Sequence, residues 1–159
     1  MGLLGLLFIA AAQMLLWFVI LSGVTGQTPL DKTFFLRANT SGITASRPIS
    51  QWTFWYVCGD GNNDCGPPYP ALPVGYAWGA NPQNAPPGIV GSWGGNTTSH
   101  YYWFMWRFGW VFYLMTMVFV VLAFFTGFLA CFGRLGSAIS ATLCLVALVL
   151  FTIAVSLMT

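Results

Sequence analysis

Gly109-Trp110-Val111-Phe112-Tyr113-Leu114-Met115-Thr116-Met117-Val118-Phe119-Val120-Val121-Leu122-Ala123-Phe124-Phe125-Thr126-Gly127-Phe128-Leu129-Ala130 carries no charge. A helix rising about 1.5 Å per residue needs roughly 20 apolar residues to cross some 30 Å of hydrocarbon, and this run is long enough. Residues 3–21 and 138–158 form two further runs of the same kind. None alternates apolar and polar residues as a membrane barrel strand does. Only 5% of the 159 residues are Asp, Glu, Lys or Arg, against about a quarter in a soluble domain. A surface so poor in charge is not kept hydrated, so lipid is part of the solvent. The net charge of +2 forms no basic stripe, and no nucleic-acid partner is expected.

Outward from these runs the chain divides into a first transmembrane helix over 1–23, a loop over 24–102, a second helix over 103–130, a short turn over 131–136 and a third helix over 137–159. The first run reads as a retained helix rather than a cleaved signal peptide. No Lys or Arg precedes it, and it exceeds the usual apolar region of about 7–15 residues. The third run reaches Thr159 without tail or flanking charge, the pattern expected of a piece of a longer protein.

Orientation follows from the segments between the runs. Arg134 is the single charge of the short turn, which favours a cytoplasmic position. The sequons Asn39-Thr40-Ser41 and Asn96-Thr97-Thr98 both fall in the long loop, as expected of a segment exposed to the secretory lumen and glycosylated at Asn39 and Asn96. Cys58 and Cys65, seven positions apart in that loop, suggest an oxidising compartment and one local disulfide. The N-terminus is then cytoplasmic and the loop extracellular. Cys131, at the inner edge, is either acylated or a plain thiol.

Within the loop, Gln51 to Cys58 is dense in aromatic and β-favouring residues and precedes the turn cluster Gly59-Asp60-Gly61-Asn62-Asn63-Asp64. This reads as a strand entering a hairpin, with Trp52, Phe54, Tyr56 and Cys58 on one face. Phe34-Phe35-Leu36 offers a partner strand, and Gly and Pro predict irregular structure from Gly66 to Gly95. The expected fold is an all-α transmembrane bundle carrying a small antiparallel β-sheet.

Catalytic inventory is thin. One histidine, His100, and three carboxylates, Asp31, Asp60 and Asp64, assemble no acid–base pair, nucleophile motif or metal cluster. No enzyme activity, cofactor or metal is expected. Asp60 to Asp64 has alternate oxygens like a calcium loop but lacks its Gly and its closing Glu, so a disulfide-clamped turn is the simpler reading. His100 reads as interfacial, with pH sensing the sharper alternative. Tyr101, Tyr102, Trp103, Trp106 and Arg107 read as the outer membrane interface: an aromatic belt with a snorkelling guanidinium, or else an Arg107 that pairs with a carboxylate or a lipid headgroup. Ser137, Ala141 and Cys144, with Ser140 and Ala147 adjacent, form a small-residue stripe for helix packing, within this bundle or between copies, and Gln13 reads as an interhelical hydrogen-bonding residue.

Asn39-Thr40-Ser41-Gly42-Ile43, then Trp52-Thr53-Phe54-Trp55 with Cys58, resemble the Asn-Thr-x-Gly-Ile and Trp-Thr-Phe-Trp-x-x-Cys segments of the fungal Sur/PalI family, claudin-like membrane proteins of the cell cortex. Tyr101-Tyr102 with Arg107-Phe108 also fits its pattern. The resemblance makes Trp52, Phe54 and Trp55 the signature of the loop. It implies a claudin-like four-helix bundle with a small extracellular sheet, of which three helices are visible here, and a cytoplasmic tail. It also implies plasma-membrane residence in cortical, eisosome-associated patches and a scaffolding role. Expected partners are membrane lipids and other integral membrane proteins or copies of the chain. The alternatives are a PalI-type component of ambient-pH signalling and, from the lack of an active site, an accessory subunit of a larger transporter, pump or synthase.

Overall fold

The computed structural model describes residues 2–129 and 134–158. Three helices are long and apolar enough to cross a membrane: α1 (Gly2–Ile20), α2 (His100–Leu129) and α3 (Arg134–Met158). Their sides are largely exposed leucine, valine and phenylalanine, such as Leu7, Phe125, Leu145 and Leu148. That is the surface lipid requires, since acyl chains are as apolar as these residues. The chain is a membrane protein, mostly helical, with a small three-stranded antiparallel sheet. Cys131 lies outside the described residues, as do residues 132 and 133 of the turn expected over 131–136 and the Arg134 side chain, while residues 134–136 belong to α3.

Two compact units divide the chain. The first comprises residues up to Trp17 and Gly109–Leu157. Its helices meet through small residues and a few hydrogen bonds. Ser140 Oγ donates to the Ala123 carbonyl at 3.0 Å, and the Tyr113 hydroxyl to the Leu16 carbonyl at 3.0 Å. At Gly127 the Leu6 side chain comes so close that an added Cβ would stand 2.9 Å from its Cδ1. Ser140, Ala147 and Ala154 are buried along α3. They recur every seven residues, two helical turns, and so share one face.

The second unit, residues 18–108 and the end of α3, holds the sheet. β1 (Leu36–Asn39) pairs antiparallel with β2 (Ile49–Trp52), and β2 with β3 (Val57–Cys58). The strand expected over Gln51 to Cys58 is therefore two strands, with the hairpin at Phe54-Trp55 rather than in the Gly/Asn cluster. Two-residue hairpins usually need positive φ, which neither Phe54 nor Trp55 adopts. Thr53 supplies the solution: its N–H donates to the Tyr56 carbonyl at 2.9 Å, and its hydroxyl accepts the Tyr56 N–H at 3.1 Å. Period-two burial consequently fails, for Thr53 is as buried as Phe54, at 2% and 1% exposed.

The Gly/Asn cluster is a 3-10 turn, Asp60–Asn62. Asn62 takes a φ of 53°, which asparagine tolerates better than most residues. Its side-chain amide donates to the Leu30 and Thr33 carbonyls at 3.1 and 2.9 Å, and its N–H to Gln51 Oε1 at 2.9 Å. One residue thus ties the turn Leu30–Lys32 to β2. Residues 66–95 are largely irregular, apart from a 3-10 turn at Val74–Ala77 and a single turn starting at Trp93.

Candidate interaction surface

The loop signature divides by burial. Trp52 and Phe54 are core residues, while Trp55 is half-buried. Trp52 packs with Val57, Leu72, Val74, Ala77, Trp78 and Trp106, and its indole N–H donates to the Val74 carbonyl at 3.0 Å. Trp78 is anchored likewise, donating to the Thr97 carbonyl at 3.0 Å. Buried indoles need such partners, because an unpaired N–H in an apolar site is costly. Phe54 meets Phe35 and Trp55 edge-on, at 6.1 and 5.6 Å between centroids.

A covalent and ionic frame surrounds this core. Cys58 and Cys65 are joined by a disulfide. Arg37 donates to Asp60 Oδ1 at 2.8 Å and Arg47 to Asp64 Oδ2 at 2.9 Å. The two carboxylates of the calcium-like stretch thus each bind an arginine of the same unit. Both pairs are exposed enough for water to screen them, so they orient the turn more than they stabilise it.

The interface residues at the start of α2 also separate. Trp106, expected in the aromatic belt, is 5% exposed and belongs to the core around Trp52. Tyr101 and Tyr102 are exposed and meet edge-on at 5.6 Å. Arg107 lies over the Trp103 ring, 4.3 Å from its centroid, so an aromatic face rather than a carboxylate receives its charge. Trp93, eight residues before Tyr101, joins the belt against His100 and Phe104 at 5.2 and 5.4 Å. Sequence reading missed it because a lone Trp among Gly and Ser carries no periodic signal.

On α3 the helix packing runs through Ser140, Ala147 and Ala154, whereas Ser137 and Ala141 are exposed and Cys144 is half-buried. Of the small residues named from sequence, the adjacent Ser140 and Ala147 are the ones buried. Gln13 is half-buried, its two amide atoms are shielded from solvent, and neither has a hydrogen-bond partner among the described residues. Of the sequon asparagines, Asn39 closes β1 and Asn96 ends the Trp93 turn; both are exposed.

Comparison with known proteins agrees with this architecture. The model of the SUR7/PalI family matches residues 1–159. The chain belongs to the SUR7/PalI family. It is similar to Protein SUR7 of Saccharomyces cerevisiae, 37% identical over 76 residues, covering 43% of this chain and 25% of that protein. Protein SUR7 of Candida albicans is 44% identical over 72 residues, covering 43% and 27%. The SUR7 family protein FMP45 of Saccharomyces cerevisiae is 33% identical over 135 residues, covering 82% and 42%. The aligned part is thus a quarter to two fifths of each relative's length. No solved structure matches significantly. In this SUR7/PalI chain Trp52 and Phe54 of the aromatic signature lie in the core of the sheet-bearing unit, while Leu36, Arg37, Tyr69 and Tyr76 are exposed.

Proposed function

We propose that this SUR7/PalI chain is a non-enzymatic organiser of plasma-membrane cortical patches, working through lateral helix contacts and the surface of an extracellular loop unit. In this reading the N-terminus and residues 131–136 are cytoplasmic, and residues 24–102 are extracellular. The three helices are then part of a claudin-like bundle. The observation that carries the reading is the division of labour within the chain. Loop tryptophans, the two loop cysteines and the pairs Arg37–Asp60 and Arg47–Asp64 are engaged within the loop, while α3 keeps Ser137 and Ala141 exposed beside its packed face. Small residues on an exposed membrane helix let another backbone come close, and packing rather than a hydrophobic driving force then holds the pair. The exposed Tyr69–Tyr76 stack, 5.8 Å between centroids, gives the loop unit a rigid apolar contact.

Crosslinking in native membranes tests this. The expected result is recovery of copies of the chain or of one recurrent neighbour, with yield reduced when Ser137 and Ala141 are replaced by Leu. A chain that remains monomeric in native-like membrane and crosslinks to no neighbour overturns the reading. Purification at fixed stoichiometry with one large polytopic protein would replace it with the accessory-subunit reading.

A further inference from the structure

The two sequons look equivalent in sequence, but their settings differ. Asn39 is exposed at the end of β1, the strand at one edge of the sheet. Its Oδ1 accepts both the N–H of Ser41 at 3.1 Å and the hydroxyl of Ser41 at 2.8 Å. The carboxamide oxygen is thus occupied, and Nδ2 is on the solvent side with no partner among the described residues. Thr40, the middle residue, is the inward anchor, its hydroxyl bonded to the Arg47 carbonyl at 2.6 Å and to Ser50 Oγ at 2.8 Å. A bulky substituent on Asn39 therefore needs no change in the sheet.

Asn96 is exposed as well, yet the rest of its sequon is built into the core. Thr98 is fully buried, and its hydroxyl accepts the Gly75 N–H at 3.1 Å. Gly75 lies against this segment so closely that an added Cβ would collide with the Thr97 backbone and the Thr98 hydroxyl. The Thr97 carbonyl holds the Trp78 indole, and the Asn96 carbonyl accepts the Asn81 N–H. Asn96 stands four residues ahead of His100, where α2 begins, whereas Asn39 follows Ile20, the end of α1, by 19 residues (39 minus 20).

We infer that the chain is N-glycosylated at one site, Asn39, and that Asn96 stays unmodified. Transfer joins Asn39 Nδ2 to the anomeric carbon of an oligosaccharide carried on a polyprenyl pyrophosphate. Nδ2 loses one proton, and the lipid pyrophosphate leaves. The finished glycan stands at the end of the edge strand β1, where its bulk hinders pairing with a strand of another molecule. This inference rests on the extracellular placement of the loop proposed above.

The test expresses the full chain in yeast and reads gel mobility before and after endoglycosidase. Wild type, N39Q, S41A and N96Q are compared with the double variant P86T/P87A, which creates a new sequon at Asn84, an exposed loop position. Expected is one endoglycosidase-sensitive step in wild type and N96Q, none in N39Q and S41A, and two in the double variant. Two steps in wild type, or a step lost in N96Q and kept in N39Q, overturn the inference. A step in the double variant with none in wild type also overturns it, while leaving the orientation of the loop intact. No step in any variant, the double variant included, overturns the extracellular placement and the inference with it.

Discussion

The two units of this chain use the same kind of side chain in opposite ways. In the loop unit, tryptophan is buried and anchored: Trp52, Trp78 and Trp106 lie in one core, two of them hydrogen-bonded through the indole nitrogen. In the helical unit, large apolar residues such as Phe125, Val118 and Leu148 are exposed, and burial falls to alanine and serine. The difference follows from solvent. Water favours burying Trp52 by about 25 cal/mol per Å² of apolar surface, whereas lipid offers no such gain and leaves close backbone approach and hydrogen bonds to join helices. Composition alone does not separate the two regimes, since both are rich in aromatics.

That contrast predicts unequal responses to substitution. Trp52→Ala removes the largest side chain of the loop core and strands the Val74 carbonyl, and is expected to cost about 3–5 kcal/mol. Thermal unfolding followed by near-ultraviolet circular dichroism should lose the loop transition while far-ultraviolet helicity persists. A loss below about 1 kcal/mol would break the comparison, because burial in water would then count for little here. At the small end stand Tyr113→Phe and Ser140→Ala. Each deletes one interhelical hydrogen bond in lipid, expected to be worth about 0.6 kcal/mol and at most about 1.7. Unfolding in mixed micelles checks this, and an effect as large as that of Trp52→Ala would erase the distinction between the units.

How much of this was legible beforehand also divides along the same line. The three helices could be read directly, because length and absence of charge suffice in lipid. The Cys58–Cys65 bridge and a β-paired loop were equally visible. The hairpin position was not: Trp52 to Cys58 has the composition of one strand, and only Thr53, whose hydroxyl replaces a backbone acceptor, reveals the turn. Asn62 was hidden among turn residues, although its role depends on carbonyls some thirty positions away. Trp106 was misassigned for a different reason. An aromatic residue next to an apolar run looks like a lipid anchor, and sequence does not say that α2 extends ahead of the charge-free run to contribute this residue to a protein core. The packing face of α3 carried a signal in the small residues Ser140 and Ala147, whose seven-residue spacing continues to Ala154.

The loop signature, through Trp52 and Phe54, is an internally locked core rather than an exposed contact motif. Hydrogen exchange on the protein in nanodiscs, oxidised and reduced, tests it most directly. The disulfide closes a short loop and should contribute about 2–3 kcal/mol. Protected amides are expected at Thr53, Asn62 and Gly66 in the oxidised protein. On reduction, exchange there should accelerate by roughly 30- to 150-fold while α1 to α3 remain unchanged. Rapid exchange from Gln51 to Cys65 in the oxidised protein would contradict it, leaving the aromatic signature a flexible surface.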